Sequence, residues 1–173
     1  MIRAISFGAS TAQGARDTEG GGFIDRIGKR LKNEHRGGSE NFGIGGQTTD
    51  DMIPRLPTIP IKSESDIVIC TLGINDVPRN PDSKPDSRIP LDRHDANVHQ
   101  ILEDLKRRCR VLYVTQYPVD FVGRGLDKDL VGSYINVGRQ VAHEVGVEIL
   151  DIHNEIDDEK YEAFIHEDGM HFN

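Results

Sequence analysis

The chain has 173 residues, a formal net charge of −8 and two cysteines. This length suits one domain that buries a sufficient core without disulfide or metal staples. The 21 basic residues form no long block. Nucleic-acid binders rely on a basic footprint, so the composition argues against a nucleic-acid partner.

We expect neither a targeting segment nor a membrane anchor in this chain. Met1–Gly8 is too short and too soon interrupted by glycine to serve as a signal peptide. No apolar stretch approaches the roughly 18 residues that a membrane span needs. Cys70 and Cys109 match no zinc or redox spacing, and Cys70 lies in an apolar run typical of a buried core. We therefore expect a cytoplasmic protein with no membrane span.

Five short apolar runs rich in β-branched residues predict five strands. Their near-continuous hydrophobicity is typical of strands that are buried on both faces of a parallel sheet. In chain order the runs are Ile2–Phe7, a weaker one near Asn41–Ile44, Ile67–Leu72, Val111–Thr115 and Val147–Ile152.

Apolar residues at helical spacing lie between these runs. The three longer sets extend over Phe23–Leu31, Val98–Leu105 and Leu130–Val145. Gly146 follows the last set, where a helix commonly ends. A shorter helix is expected to begin at Thr48 or Thr49, either of which can cap it, and Pro54 limits its length. The order β-α-β-α-β-α-β-α-β predicts an α/β fold with one doubly wound parallel sheet.

Two loops follow predicted strands on their carboxyl side, which is where open α/β sheets bind ligands. The loop 77–90 is polar, charged and rich in proline, which suggests a hydrophilic rim suited to a carbohydrate or another polar alcohol. The loop 117–128 carries apolar residues that either line an acyl pocket or pack the loop onto the domain. These residues are Tyr117, Pro118, Val119, Phe121, Val122 and Leu126.

A serine follows the first predicted strand directly. Ser10 stands after Gly8 in a turn that projects its hydroxyl from the edge of the sheet, as a nucleophile requires. The alternative is that Ser10 caps the next helix.

A glycine-rich loop follows the second predicted strand. Three glycines within Gly43–Gly46 allow the backbone to approach a ligand closely and to point N–H groups at it. One alternative is an ordinary flexible turn. Another is a flavodoxin-like nucleotide or phosphate site over Gly43–Thr48, although the Gly-Lys-Ser/Thr of a phosphate loop is missing.

Two further segments supply a hydrogen-bond donor and a candidate base. Asn75 offers an amide of the kind that oxyanion holes use, although Asn-Asp is also common in turns. Asp168 and His171 are three residues apart, so in a helix or tight turn the carboxylate can hold the imidazole in one tautomer. The alternatives for this pair are a solvated tail and a metal site with His153 and His166, whose spacing fits no zinc signature. The other histidines are expected to be solvated: His35, His94, His99 and His143.

Together these segments supply a nucleophile, a base, an orienting carboxylate and oxyanion donors, which are the roles that acyl transfer requires. In this order they resemble the four sequence blocks of the SGNH hydrolases, also called the GDSL esterase/lipase family. The blocks are Gly8–Ser10, Asn41–Gly46, Gly73–Asp76 and Asp168–His171. The resemblance extends over nearly the whole chain.

The resemblance implies a three-layer α/β/α, flavodoxin-like fold with five parallel strands in the order 2-1-3-4-5. It implies that Ser10 attacks an ester carbonyl while His171 takes the serine proton and Asp168 orients His171. The oxyanion would be held by the N–H groups of Ser10 and Gly46 and by the amide of Asn75. By the same resemblance, no metal and no cofactor is needed.

The chain departs from the family pattern at three places. Ala9 replaces the usual aspartate, which is expected to alter turnover without abolishing attack, and Phe172 replaces a frequent proline. The chain ends two residues after His171, where family members usually continue into a final helix. We therefore expect a single domain over residues 1–173 without that helix, with Asp168 and His171 poorly held because chain ends fray.

The expected function is that of a serine esterase that acts on a small acyl ester with a short acyl chain. The alternative is a non-catalytic ligand-binding domain on the same fold, since fold does not imply function. Ala9 and the short C-terminal end favour that alternative.

Overall fold

The computed structural model describes residues 2–18, 20–79, 89–121, 123–156 and 167–171. Its centre is a parallel sheet of five strands in the order β2-β1-β3-β4-β5. Helices connect the strands, so the predicted α/β fold and the strand order implied by the family resemblance are both confirmed.

The strands and helices alternate along the chain as the apolar patterns predict. The strands are β1 Arg3–Gly8, β2 Gly38–Gly43, β3 Ile67–Thr71, β4 Arg110–Val114 and β5 Glu148–Leu150. The helices are α1 Ser10–Gln13, α2 Gly22–His35, α3 Thr49–Met52, α4 Leu91–Lys106, α5 Lys128–Val145 and α6 Ile152–Glu155. A 3₁₀ segment over Ile53–Thr58 continues α3.

The second strand differs most from its prediction. It begins at Gly38, three residues before the predicted start at Asn41. The prediction missed the first half of the strand because Gly-Ser-Glu carries no apolar run. The strand lies at an edge of the sheet and is only half-buried. An edge strand needs no hydrophobic side chains on both faces, so its sequence gives a weak pattern.

Two helix ends match their sequence predictions. Thr48 caps α3 in a capping box, because its side chain accepts from the Asp51 N–H and the Asp51 carboxylate accepts from the Thr48 N–H at 2.9 Å. Gly146 ends α5 in the left-handed conformation, with φ of 72°.

The main core lies between the sheet and helices α4 and α5. Phe7, Val68, Cys70 and Tyr113 point into it from three neighbouring strands and are nearly inaccessible to solvent. The predicted core position of Cys70 is therefore confirmed. Both cysteines are free thiols, and burial raises the pKa of the Cys109 thiol to about 11, which keeps it protonated and unreactive.

The opposite face of the sheet is covered by α2 through Ile24, which packs against Ala4 and Ile69. Beside α2, within the described part of the chain, β3, β4 and β5 line an apolar groove of about 260 Å³. Leu150 borders this groove and is 45% exposed. No helix among the described residues has both the length and the apolar character that a membrane crossing demands.

Candidate active site

Three strand ends bring the sequence blocks to one edge of the sheet. In the parallel register Gly8 of β1 pairs with Gly43 of β2 on one side and with Thr71 of β3 on the other. The segments that follow these three residues carry Ser10, the glycine-rich loop and Asn75. Adjacent strands lie about 5 Å apart, so all three segments emerge side by side.

Ser10 is the first residue of α1 and is half-buried. Ala9 precedes it at the cap position and makes no side-chain capping bond. The alternative interpretation, that Ser10 caps the helix, is therefore wrong, because Ala9 occupies the cap position. Its backbone N–H lies at the amino end of a helical turn, where N–H groups lack helical partners.

The glycine-rich loop lies against α1. A Cβ on Gly43 would lie 2.0 Å from the Gln13 nitrogen, so this position requires glycine. A Cβ on Gly45 would lie 3.8 Å from the Cβ of Ser10, which places the loop beside the serine. The Gly45 N–H donates to Gln13 Oε1 at 2.9 Å, and Gly46 adopts φ of +79° with open space where a Cβ would lie.

Asn75 connects the third block to the same loop. Its side-chain Nδ2 donates to the carbonyl of Gln47, the residue after Gly46, at 3.0 Å. This hydrogen bond fixes the amide plane of Asn75 against the loop. The Asn75 amide, one of the donors that the family resemblance assigns to an oxyanion hole, is thus anchored to the residue that follows Gly46.

A buried polar network lies behind Asn75. The Asp76 carboxylate is fully buried and accepts from the Thr49 N–H at 2.9 Å, the Thr49 hydroxyl at 2.6 Å and His94 Nδ1 at 2.7 Å. A Cβ on Gly73 would lie 2.8 Å from the His94 ring. The network therefore joins the turn that bears Asn75 to the start of α3, where the glycine-rich loop ends.

The expectation that His94 is solvated is wrong, since its exposed fraction is 1%. His94 lies on the buried face of α4, in helical register with Asn97, Val98 and Ile101. Its imidazole is tolerated there because Asp76 satisfies it, as buried polar groups require.

We expect Asp76→Ala to lower the free energy of unfolding by about 3–5 kcal/mol, because three buried donors lose their acceptor. Asp51→Ala in α3, the helix whose first residue Thr49 bonds to Asp76, removes an exposed capping carboxylate and serves as the control, with an expected cost of about 1 kcal/mol. Urea unfolding measures both values. Equal losses in the two variants would contradict the role given to the buried network.

Asp168 and His171 form a hydrogen-bonded pair. His171 Nδ1 and Asp168 Oδ2 are 2.7 Å apart, and Asp168 Oδ1 accepts from the N–H groups of Met170 at 2.9 Å and His171 at 3.0 Å. Burial alone would raise the pKa of the Asp168 carboxyl. These hydrogen bonds outweigh burial and hold that pKa well below its usual range, so Asp168 is ionised near neutral pH.

The other nitrogen of His171 has the environment of a base that awaits a proton. Nε2 is buried and has no hydrogen-bond partner among the described residues. With Nδ1 held by a carboxylate, the proton of a neutral imidazole lies on Nδ1 and the lone pair lies on Nε2.

The segment 167–171 is held by the loop after β4, contrary to the expectation of a poorly held pair. The Asp120 N–H donates to the Gly169 carbonyl at 2.7 Å, and the Arg124 guanidinium donates to the Asp168 carbonyl. Tyr117 donates to the Met170 carbonyl at 2.6 Å, and the Met170 side chain is buried. Tertiary contacts from the loop after β4 thus hold the segment that carries Asp168 and His171.

Two contacts link the segment 167–171, or the Tyr117 side chain that holds it, to α1 and the turn after it. Thr11 Oγ1 and the Tyr117 hydroxyl are 3.1 Å apart, and Arg16 Nε lies 3.8 Å from Asp168 Oδ2. Since Thr11 follows Ser10 directly, the nucleophile candidate and the base candidate lie on segments that share contacts.

Comparison with known proteins assigns the chain to a family. The sequence model of the GDSL-like lipase/acylhydrolase family matches residues 6–173. The chain belongs to this family. A mouse (Mus musculus) protein, an isoamyl acetate-hydrolyzing esterase 1 homolog, is 26% identical across 98% of this chain and 74% of its own length. Membership in this family supports hydrolysis of ester bonds.

Solved structures show the same GDSL-family fold. A lipase/acylhydrolase from Enterococcus faecalis has a TM-score of 0.81 at 20% identity, with 100% of this chain and 88% of that chain covered. An acetylxylan esterase from Geobacillus stearothermophilus has a TM-score of 0.76 at 20% identity, with coverage of 99% and 86% respectively.

The apolar loop of this GDSL-family chain serves chiefly as packing. Tyr117, Val119 and Leu126 are 2%, 3% and 7% exposed. They belong to one apolar cluster, called here the loop cluster, which also contains Tyr134 of α5 and Met170. Of the two interpretations of this loop, packing therefore holds for these three residues.

The metal-site alternative receives no support from the described residues, among which no three ligating side chains come together. His153 Nδ1 instead lies 3.1 Å from the Gln116 carbonyl, and burial lowers the pKa of His153. His166, Val122 and Phe172 lie outside the described residues, as does most of the loop 77–90.

Proposed function

We propose that this chain is a serine esterase in which Ser10 is the nucleophile, His171 the base and Asp168 the orienting carboxylate. The observation that carries the proposal is the His171 imidazole. Its Nδ1 is bonded to an ionised Asp168, and its buried Nε2 has no hydrogen-bond partner within the described part of the chain. Its segment contacts the residue after Ser10 through Tyr117. A nucleophile is activated by such an oriented base.

The reaction proceeds in two acyl-transfer steps. His171 Nε2 takes the Ser10 proton as the hydroxyl oxygen bonds to the ester carbonyl carbon, and the same proton passes to the leaving alcohol when the ester bond breaks. Water then attacks the acyl-enzyme, with His171 again as base. The acid is released and the Ser10 hydroxyl is restored.

The negative oxygen of each tetrahedral intermediate needs donors at the sheet edge. The N–H groups of Ser10 and Gly46 and the Asn75 amide fill this role in the proposal. Their support is the hydrogen bond between Asn75 and Gln47 and the position of the glycine-rich loop beside Ser10. Preorganised donors of this kind stabilise the transition state more than the bound ester.

The proposed substrate is an acetyl or similarly short acyl ester of a polar alcohol such as a carbohydrate. Three of the loop side chains that were candidates for an acyl pocket, Tyr117, Val119 and Leu126, are buried in the loop cluster, which favours a small acyl group. Two relatives support the choice, since one is named for isoamyl acetate and another for acetylxylan. A serine-to-alanine variant of the acetylxylan esterase is a catalytic mutant.

We expect hydrolysis of p-nitrophenyl acetate with a kcat/KM at least about tenfold above that for p-nitrophenyl octanoate, because Tyr117, Val119 and Leu126, which could contact a long acyl chain, are packed in the loop cluster. Spontaneous hydrolysis in buffer and heat-denatured protein are the controls. A preference for the octanoyl ester would overturn the acyl assignment. Failure to hydrolyse any ester would favour the non-catalytic binding domain.

The expected cytoplasmic location remains a prediction that cell fractionation tests.

A further inference from the structure

One buried hydroxyl bridges the two segments that carry the proposed nucleophile and base. Tyr117 follows β4 by three residues, and its exposed fraction is 2%. Its hydroxyl lies 3.1 Å from Thr11 Oγ1 and 2.6 Å from the Met170 carbonyl oxygen. Thr11 is the residue after Ser10, and Met170 is the residue before His171.

The direction of the two hydrogen bonds follows from their chemistry. A carbonyl oxygen only accepts, so the single phenolic proton of Tyr117 goes to Met170. The Tyr117 oxygen therefore accepts from the Thr11 hydroxyl. The two bonds point the same way, from the nucleophile segment through Tyr117 to the base segment, and such chains reinforce each bond.

The Tyr117 ring is itself held in place. It packs in the loop cluster, which also contains the buried side chain of Met170. Gln116 Nε2 donates to the Tyr117 carbonyl at 3.1 Å, which fixes the backbone on which the ring stands. The hydroxyl thus has a defined position between α1 and the segment 167–171.

We propose that Tyr117 is a positioning residue that sets the distance between Ser10 and His171. This inference rests on the proposed function. The two residues are far apart in sequence, so tertiary contacts must fix their approach. Ser10 and Thr11 belong to the same turn of α1. A shift of Thr11 or Met170 is therefore transmitted to the adjacent reacting group.

The kinetic consequence is specific. Proton transfer from Ser10 to His171 depends steeply on their separation, whereas ground-state binding of the ester does not. Small misplacements of reacting groups cost up to about 100-fold in rate. Loss of the bridge should therefore lower kcat and leave KM nearly unchanged, which a merely structural role would not produce.

The test begins with Tyr117→Phe, which removes one oxygen atom and keeps the ring. We expect kcat for p-nitrophenyl acetate to fall about tenfold, with KM within about twofold of wild type. Tyr134→Phe is the matched control. Tyr134 belongs to the same cluster, is also buried, and donates to the Ile89 carbonyl at 2.6 Å. The control should lower the Tm as much as Tyr117→Phe while kcat stays at the wild-type value.

The other end of the bridge gives an independent variant. Thr11→Val removes the donor and keeps the shape, so we expect a similar fall in kcat. Thr11→Ser keeps the hydroxyl and should retain most of the wild-type kcat. Because both changes cut one chain of hydrogen bonds, the double variant Tyr117→Phe/Thr11→Val should lose little more than either single variant.

The outcomes separate this inference from the proposed function. A folded Tyr117→Phe with wild-type kcat, or with the same kcat as Tyr134→Phe, would overturn the positioning role. A Thr11→Val variant with unchanged kcat would do the same, even if Tyr117→Phe failed to fold. Activity that survives Ser10→Ala would instead overturn the proposed function itself.

Discussion

Replacing Ser10 by alanine is expected to lower the kcat for p-nitrophenyl acetate by more than roughly 10³-fold, because no acyl-enzyme can form without the hydroxyl. The fold should survive, since Ser10 is half-buried and Ala9, not Ser10, occupies the cap position of α1. A steady-state assay of purified protein, corrected for spontaneous hydrolysis, measures the loss.

Ser133→Ala is the matched control for this experiment. Ser133 lies on α5 and is none of the proposed catalytic or oxyanion residues, and its hydroxyl donates to the Asp129 carbonyl in the preceding turn. Ser133→Ala also removes one serine Oγ, but from a residue with no role in the proposed reaction, so we expect wild-type turnover. Equal activity in Ser10→Ala and Ser133→Ala would exclude Ser10 as the nucleophile.

Replacing Asn75 by alanine is expected to lower kcat by about 10²–10³-fold, since that is the usual cost of one missing oxyanion donor. The structure holds the Asn75 amide through its bond to the Gln47 carbonyl, so a donor group stands preorganised beside the glycine-rich loop. KM should change little, because the negative charge develops on the oxygen only as the tetrahedral intermediate forms.

Asn75→Asp sharpens this test. The aspartate has nearly the shape of asparagine but offers acceptors in place of donors, and its charge opposes the oxyanion. We expect it to be no more active than Asn75→Ala. A folded Asn75→Ala within threefold of wild-type kcat would remove Asn75 from the proposed oxyanion hole.

The buried strands were predictable because their hydrophobicity is continuous. The runs that became β1, β3 and β4 lie within one or two residues of their predicted bounds. The last strand is shorter than predicted, ending at Leu150, because the apolar Ile152 that extended the run begins α6 instead.

The buried histidine could have been found in the sequence. His94 shares a helical face with Val98, Ile101 and Leu105, all of which are buried. A histidine in line with such a face indicates a buried polar group with a partner. That this partner is Asp76 was not predictable, since His94 and Asp76 meet through the packing of α4 against the turn after β3.

The support of Asp168 and His171 could not be predicted from local pattern. It comes from Tyr117, Asp120 and Arg124, which are more than 40 residues away in the chain. Sequence reasoning places such residues on a loop but does not reveal which segment they contact. Spacing indicated the pair itself, because its hydrogen bond is local.

The most direct test is the crystal structure of the protein after reaction with an organophosphonate. We predict a covalent bond from Ser10 Oγ to phosphorus and a phosphoryl oxygen that accepts from Asn75 Nδ2 and the Gly46 N–H. His171 Nε2 should lie within hydrogen-bond distance of the adduct. A phosphonate bound to another residue, or an unmodified Ser10 with His171 out of reach of its hydroxyl, would contradict the account.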